Sequence, residues 1–179
     1  FNYKTGNNAN GCSYTPNNPN INRPNTRFGI SAPPGTYNYD TICSGITTTL
    51  TSNSNIILNT SGISGFSYVN TWNGSYYFKS TQSHTWLNAD LECRQEGGHL
   101  VHIGNTSENS HVQNIINTLS SSRGWIGLHQ NCNSGSFSPT TGGWEWSDGI
   151  VPTYTNWNSG EPNNAGGGEE YTEMYSSGK

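Results

Sequence analysis

The chain has 179 residues, of which 30% are hydrophobic and only 10% charged, against about a quarter charged in an average soluble domain. A net charge of −4 without any basic run argues against nucleic acid or an anionic membrane surface as partner. No segment approaches the ~20 apolar residues of a membrane span. Polarity is carried by Asn, Ser, Thr and Gly beside 12% aromatics, the balance of a loop-rich or β-rich extracellular protein whose core leans on Trp and Tyr.

The four cysteines, Cys12, Cys43, Cys93 and Cys132, stand too far apart for a CxxC redox or zinc site. Their even number predicts disulfides made in an oxidising compartment, with three connectivities open; Cys12 with Cys43 and Cys93 with Cys132 are two pairings to consider. The chain opens on Phe1 with no signal-peptide pattern after it, so the expectation is a start within a longer protein or after processing.

In chain order, residues 1–40 are rich in Asn, Pro, Thr and Gly, as in Pro16-Asn17-Asn18-Pro19-Asn20 and Ala32-Pro33-Pro34-Gly35. Proline removes backbone donors and Asn and Gly favour turns, which predicts a linker or irregular segment. In residues 41–70, Ile42, Ile46, Thr48 and Leu50 are spaced by small polar residues, and Ile56-Ile57-Leu58 makes a second short run. Two or three short strands are predicted there. From Thr71 onward, Ser75-Tyr76-Tyr77-Phe78 predicts an aromatic strand. Thr85 to about Glu96 predicts a helix with Trp86, Ala89 and Cys93 on one face, ended by Gly97-Gly98. A second helix, capped by Thr106 or Ser107 with Glu108 in its first turn, carries the stripe Val112, Ile115, Ile116 and Leu119. Trp125-Ile126-Gly127-Leu128 predicts a buried strand, and the last fifty residues read as Gly- and Trp-rich loops.

Two resemblances emerge. Ile42-Cys43-Ser44-Gly45-Ile46-Thr47-Thr48-Thr49-Leu50-Thr51 resembles the opening strands of immunoglobulin-like repeats in large surface adhesins of Bacteroidetes-type bacteria, and Ala9-Asn10-Gly11-Cys12 is similar to the end of such a repeat. The stronger one starts at Thr71. Thr85-Trp86 through Ala89, Cys93 and Gly97-Gly98-His99-Leu100 to Ile103 resembles the first-helix signature of C-type lectins. Trp125-Ile126-Gly127-Leu128 resembles their central strand. Trp144-Glu145-Trp146-Ser147-Asp148-Gly149, Asn156-Trp157, Gly160-Glu161-Pro162-Asn163-Asn164 and Gly168-Glu169 resemble their long-loop region. The implied fold is α+β and C-type-lectin-like, with two helices, antiparallel strands and a long loop region over 71–179, preceded by the 1–40 segment and the 41–70 β segment.

Calcium takes about six to eight oxygen ligands at about 2.3–2.6 Å. Glu161, Glu169, Glu170 and Glu173 lie in the last nineteen positions with a single Lys, and crowded carboxylates repel one another unless a cation neutralises them. The resemblance implies that Pro162 is cis and that Glu161, Asn163 and Glu169 are both calcium ligands and sugar-binding residues. Two vicinal hydroxyls would complete the ion's shell, donating to Glu161 and accepting from Asn163. In the family the Glu-Pro-Asn order goes with mannose-type sugars, so the expected ligands are mannose, N-acetylglucosamine, glucose or fucose.

Some positions depart from the family pattern. Its Trp-Asn-Asp tripeptide does not occur between Glu170 and Lys179, nor do its last strands and the usual partner of Cys93, so the expectation is a fragment of a longer protein. Tyr171 sits where the family has a cysteine, and Gln130, Ser134 and Asn164, at the accessory calcium position, are poor in carboxylate, so a second calcium is not expected. His84, His99, His102, His111 and His129 show no metal-type pairing and read as packing or surface residues. Nucleophile-elbow, HExxH and P-loop patterns do not occur. Glu145 and Asp148 form the one carboxylate pair to weigh for glycoside hydrolysis, and Trp144 and Trp146 around them read better as lectin core, so no enzyme is expected.

The function expected is calcium-dependent carbohydrate binding by a module of an extracellular or cell-surface adhesin or receptor, with a carbohydrate or glycoprotein as ligand. The alternative is a calcium-independent protein-binding or structural module on the same fold.

Overall fold

The computed structural model describes residues 40–44, 65–131, 134–138, 140–165 and 169–179. Its elements run β1 (Asp40–Ser44), β2 (Phe66–Trp72), β3 (Ser75–Ser80), α1 (Trp86–Gln95), β4 (His99–Leu100), α2 (Thr106–Ile116), β5 (Arg123–Gln130), β6 (Trp144–Trp146) and β7 (Tyr171–Tyr175). The order across the sheet is β2-β3-β1-β5-β6, with β4 paired to β1 and β7 to β5. Every pairing is antiparallel except β1 with β5. This is the α+β fold with two helices expected from the sequence. Cys12, Cys132, the linker reading of 1–40 as far as residue 39, and Ile46 to Leu58 lie outside the described residues, while Asp40, the last residue of that reading, opens β1.

Consecutive residues explain the layering. In a strand, neighbouring side chains point to opposite faces. Ile42, Tyr77, Val101 and Ile126 join Val112, Ile115 and Ile116 of α2 in one core. Their chain neighbours Cys43, Phe78, Leu100 and Trp125 join Trp86, Ala89 and Cys93 of α1 in the other. The middle of the sheet is thus covered on both sides, and β5 is buried without alternation from Gly124 to Gln130, with Trp125-Ile126-Gly127-Leu128 as its apolar centre.

α1 starts where expected, with Thr85 accepting from the Asn88 N–H at 3.3 Å. α2 is capped by Asn105, whose Oδ1 accepts from the Glu108 N–H at 3.0 Å, and not by Thr106 or Ser107. Asn105 is extended at φ −164°, the conformation a cap needs, while Thr106 is already helical. Leu119 lies beyond the end of α2 yet stays 7% exposed in the same core.

The disulfide joins Cys43 to Cys93, with Cα atoms 5.5 Å apart, and so matches neither Cys12–Cys43 nor Cys93–Cys132. The reason is sheet position: β1 lies against β4, which directly follows α1. Gly127 is required by the close approach of β4 to β5. A Cβ there would stand 2.8 Å from the Leu100 carbonyl oxygen and 2.9 Å from Ser147 Oγ.

Candidate functional site

The carboxylate-rich segment read from the sequence divides in two. Glu170 is 3% exposed, and its carbonyl accepts the Gln130 N–H at 2.8 Å, anchoring the chain to β5. Glu173 faces Arg123 of β5 at 3.6 Å, so it is not an unpaired carboxylate as the sequence suggested; its cation comes from fifty residues upstream. Glu161 and Glu169 remain as exposed carboxylates in the loop.

The loop begins with a turn in which the Glu161 N–H donates to the Asn158 carbonyl at 3.0 Å. The Glu161–Pro162 peptide is cis. Asn163 then folds onto Glu161: its N–H donates to Glu161 Oε2 at 3.1 Å and its Nδ2 to Glu161 Oε1 at 2.9 Å. Asn164 has φ 54°, in the left-handed region that Asn tolerates better than most residues. That reversal lets the Ala165 N–H donate to Asn163 Oδ1 and to Glu169 Oε2, each at 2.7 Å. Glu169 N–H closes the loop on Asn164 Oδ1 at 3.3 Å. The side chains of Glu161, Asn163 and Glu169 are therefore linked within one small loop.

Its chemistry suits a hard cation. Two carboxylates and one amide offer five side-chain oxygens, and calcium takes about six to eight, which leaves positions for ligand hydroxyls or water. Among the described residues no three of His, Cys, Asp and Glu converge as a metal cluster, so a cation held here would depend on the amide and on outside oxygens. The charge of Glu161 also helps to raise the Tyr175 phenol, behind the larger effects of its hydrogen bond with Glu173 and of burial.

The accessory positions are committed elsewhere. Gln130 Nε2 donates to the Ser138 and Gly142 carbonyls at 3.1 and 2.8 Å, and Ser134 Oγ lies 2.8 Å from Ser136 Oγ. Glu145 and Asp148 are engaged separately: Glu145 with His129 Nε2 at 3.5 Å and Asn131 Nδ2 at 3.0 Å, Asp148 with His102 Nδ1 at 2.9 Å. His102 also stacks on Trp146, and His111 on Trp72. The long loop is held from below by Trp157 against Trp144, ring centres 4.8 Å apart. Asn156 accepts from Lys179 Nζ at 2.9 Å and donates to the Gly178 carbonyl at 2.7 Å. Sequence reading overlooked these Asn156 contacts; the Asn156-Trp157 pair was their only signal.

A two-helix α+β fold with this proline loop defines a lectin-type domain. The lectin C-type domain matches residues 82–179, more than half of the chain, and the chain belongs to that family. Among its relatives, the low affinity immunoglobulin epsilon Fc receptor of Mus musculus is 38% identical over 104 residues, 58% of this chain and 28% of the receptor. Regenerating islet-derived protein 3-beta of Mus musculus is 39% identical over 88 residues, 47% of this chain and 49% of the relative. C-type mannose receptor 2 of Mus musculus is 33% identical over 91 residues, 51% of this chain and 6% of the receptor. The matched region thus spans about half or less of each relative's length.

Proposed function

We propose that this chain is a calcium-dependent carbohydrate-binding module of an extracellular or cell-surface adhesin or receptor, and that it binds without catalysing a reaction. Glu161, Asn163 and Glu169 would hold Ca2+, and a vicinal pair of equatorial hydroxyls would complete its shell. The ligand class is mannose, N-acetylglucosamine, glucose or fucose, presented free or on a glycoprotein. The observation that carries this reading is the Ala165 amide, which draws Asn163 Oδ1 and Glu169 Oε2 to 2.7 Å on either side of one donor. The mannose receptor among the relatives supports the sugar class. Among the described residues, no helix is long and apolar enough to cross a membrane.

Calorimetry with mannose in millimolar calcium should show binding that EDTA abolishes and added calcium restores. Binding that survives EDTA would overturn the calcium mechanism, and no mannose binding in calcium would favour protein contact through the same fold, for which exposed Ile150 (53%) and Val151 (70%) offer an apolar loop.

A further inference from the structure

β1 is held by more of the sheet than its length suggests. It is five residues long, yet it is bonded to three partners. Ile42 and Cys43 pair with Lys79 and Phe78 of β3, and Cys43 and Ser44 with Leu100 and His99 of β4. Asp40 and Thr41 pair with Gly124 and Trp125 of β5. Ile42 enters the α2 core and Cys43 the α1 core, both 0% exposed. The Ile42 carbonyl accepts the Val101 N–H at 2.9 Å. All these partners lie at or beyond Ser75, on the far side of residues 45–64, and the family match itself begins only at residue 82.

We propose that Asp40–Ser44 is a donated strand, and that the cleft between β3 and β5 is a binding site for an extended peptide carrying an apolar residue followed directly by cysteine. The main-chain ladders give such a site its affinity, and the two side-chain pockets on opposite faces give it selectivity. The occupant in this protein is its own β1. Twenty residues, 45–64, separate it from the rest of the module, and linkage in one chain raises the local concentration of the strand at its site. The disulfide then locks it. Thiol–disulfide exchange with a disulfide oxidant forms the Cys43–Cys93 bond, the oxidant leaving as the dithiol with the two electrons and two protons; a dithiol reductant returns them and becomes a cyclic disulfide itself. After reduction, among the described residues the ladders and the buried side chains retain β1.

The test uses the full chain with Cys12→Ser, so that Cys43 is the one cysteine before residue 45, and with a protease site inserted between Asn53 and Ser54. The folded protein is cleaved and then followed by mass and circular dichroism. Without reductant the two pieces should remain one covalent species with an unchanged spectrum; with dithiothreitol they should give two masses under denaturing conditions yet stay associated under native ones. In the reduced, cleaved complex a synthetic peptide of residues 38–46 should displace the N-terminal piece on its own. The same peptide with Ile42→Asp should compete at least about tenfold more weakly, because it offers a charge to an apolar pocket. Separation of the pieces without reductant would overturn the proposal. So would equal competition by the two peptides, or no competition by either.

Discussion

Asn163 Oδ1 and Glu169 Oε2 accept from the same donor, the Ala165 N–H, each at 2.7 Å. A single backbone amide thus sets the spacing of two proposed calcium ligands six positions apart in sequence. The third, Glu161, is fixed from the other side by both nitrogens of Asn163.

Glu169→Gln removes a charge from the proposed ion site while keeping an acceptor for the Ala165 N–H. Calcium affinity should fall by at least about tenfold, since ligand charge is a main control on affinity at oxygen sites. Calorimetric titration checks this, and the thermal midpoint in EDTA should stay unchanged because the side chain is exposed.

Replacing both Cys43 and Cys93 by Ala removes a cross-link that spans 50 positions. Loop-closure arguments for that separation give a loss of about 4 kcal/mol in unfolding free energy. Denaturant titration of the oxidised protein against the variant measures it.

Gly127→Ala places a methyl group between the Leu100 carbonyl and Ser147 Oγ, where under 3 Å is available. The backbone cannot yield without parting β4 from β5, so a loss of about 1–3 kcal/mol is expected by denaturant unfolding.

Stability should also depend on acid in a defined direction. The hydrogen bond from His129 holds the Glu145 carboxyl below its ordinary 4.5, against the opposing effect of burial. At Asp148 burial pushes upward, but hydrogen bonds from His102 and the Ile150 N–H outweigh it and leave the group below its ordinary 3.8. A carboxyl depressed in the folded state stabilises above its unfolded pKa, and that contribution disappears as pH falls through the folded value. Unfolding free energy should therefore decline as pH drops below about 4.5, and Glu145→Gln with Asp148→Asn should flatten the decline. Asp90 acts oppositely. Burial raises its pKa despite Arg94, so its contribution is largest in acid and is lost as pH climbs through the raised value. Asp90→Asn should remove that part of the profile.

Both helices were legible in the sequence because each carries an apolar stripe, Trp86, Ala89 and Cys93 in one and Val112, Ile115 and Ile116 in the other. β5 was legible because its residues are buried on both faces. β7 was overlooked although Thr172 and Met174 alternate with more exposed neighbours. Five residues after a glycine run carry too little periodicity to stand out from a loop. β6 has only three residues, and its strand character comes from pairing with β5. The Asn105 cap was misassigned because Asn, Thr and Ser stand in succession and all can cap, so only the backbone angle decides. In the loop, the sequence named residue types and the expected cis proline. It could not show that Glu170 is buried and Glu173 paired, since both facts depend on β5.

The parallel pairing of β1 with β5 also dictates an order of events during synthesis. Asp40 pairs with Gly124, so β1 leaves the ribosome about 80 residues ahead of one of its partners. At bacterial-to-eukaryotic elongation rates that is a delay of roughly 4–16 s. For most of it Ile42 has no α2 core to enter, and until α1 emerges Cys43 lacks the thiol with which it pairs. The chain therefore cannot close its sheet by zipping from one end. Folding must wait for a contact of high sequence separation, which predicts slow refolding compared with a helical protein of this size.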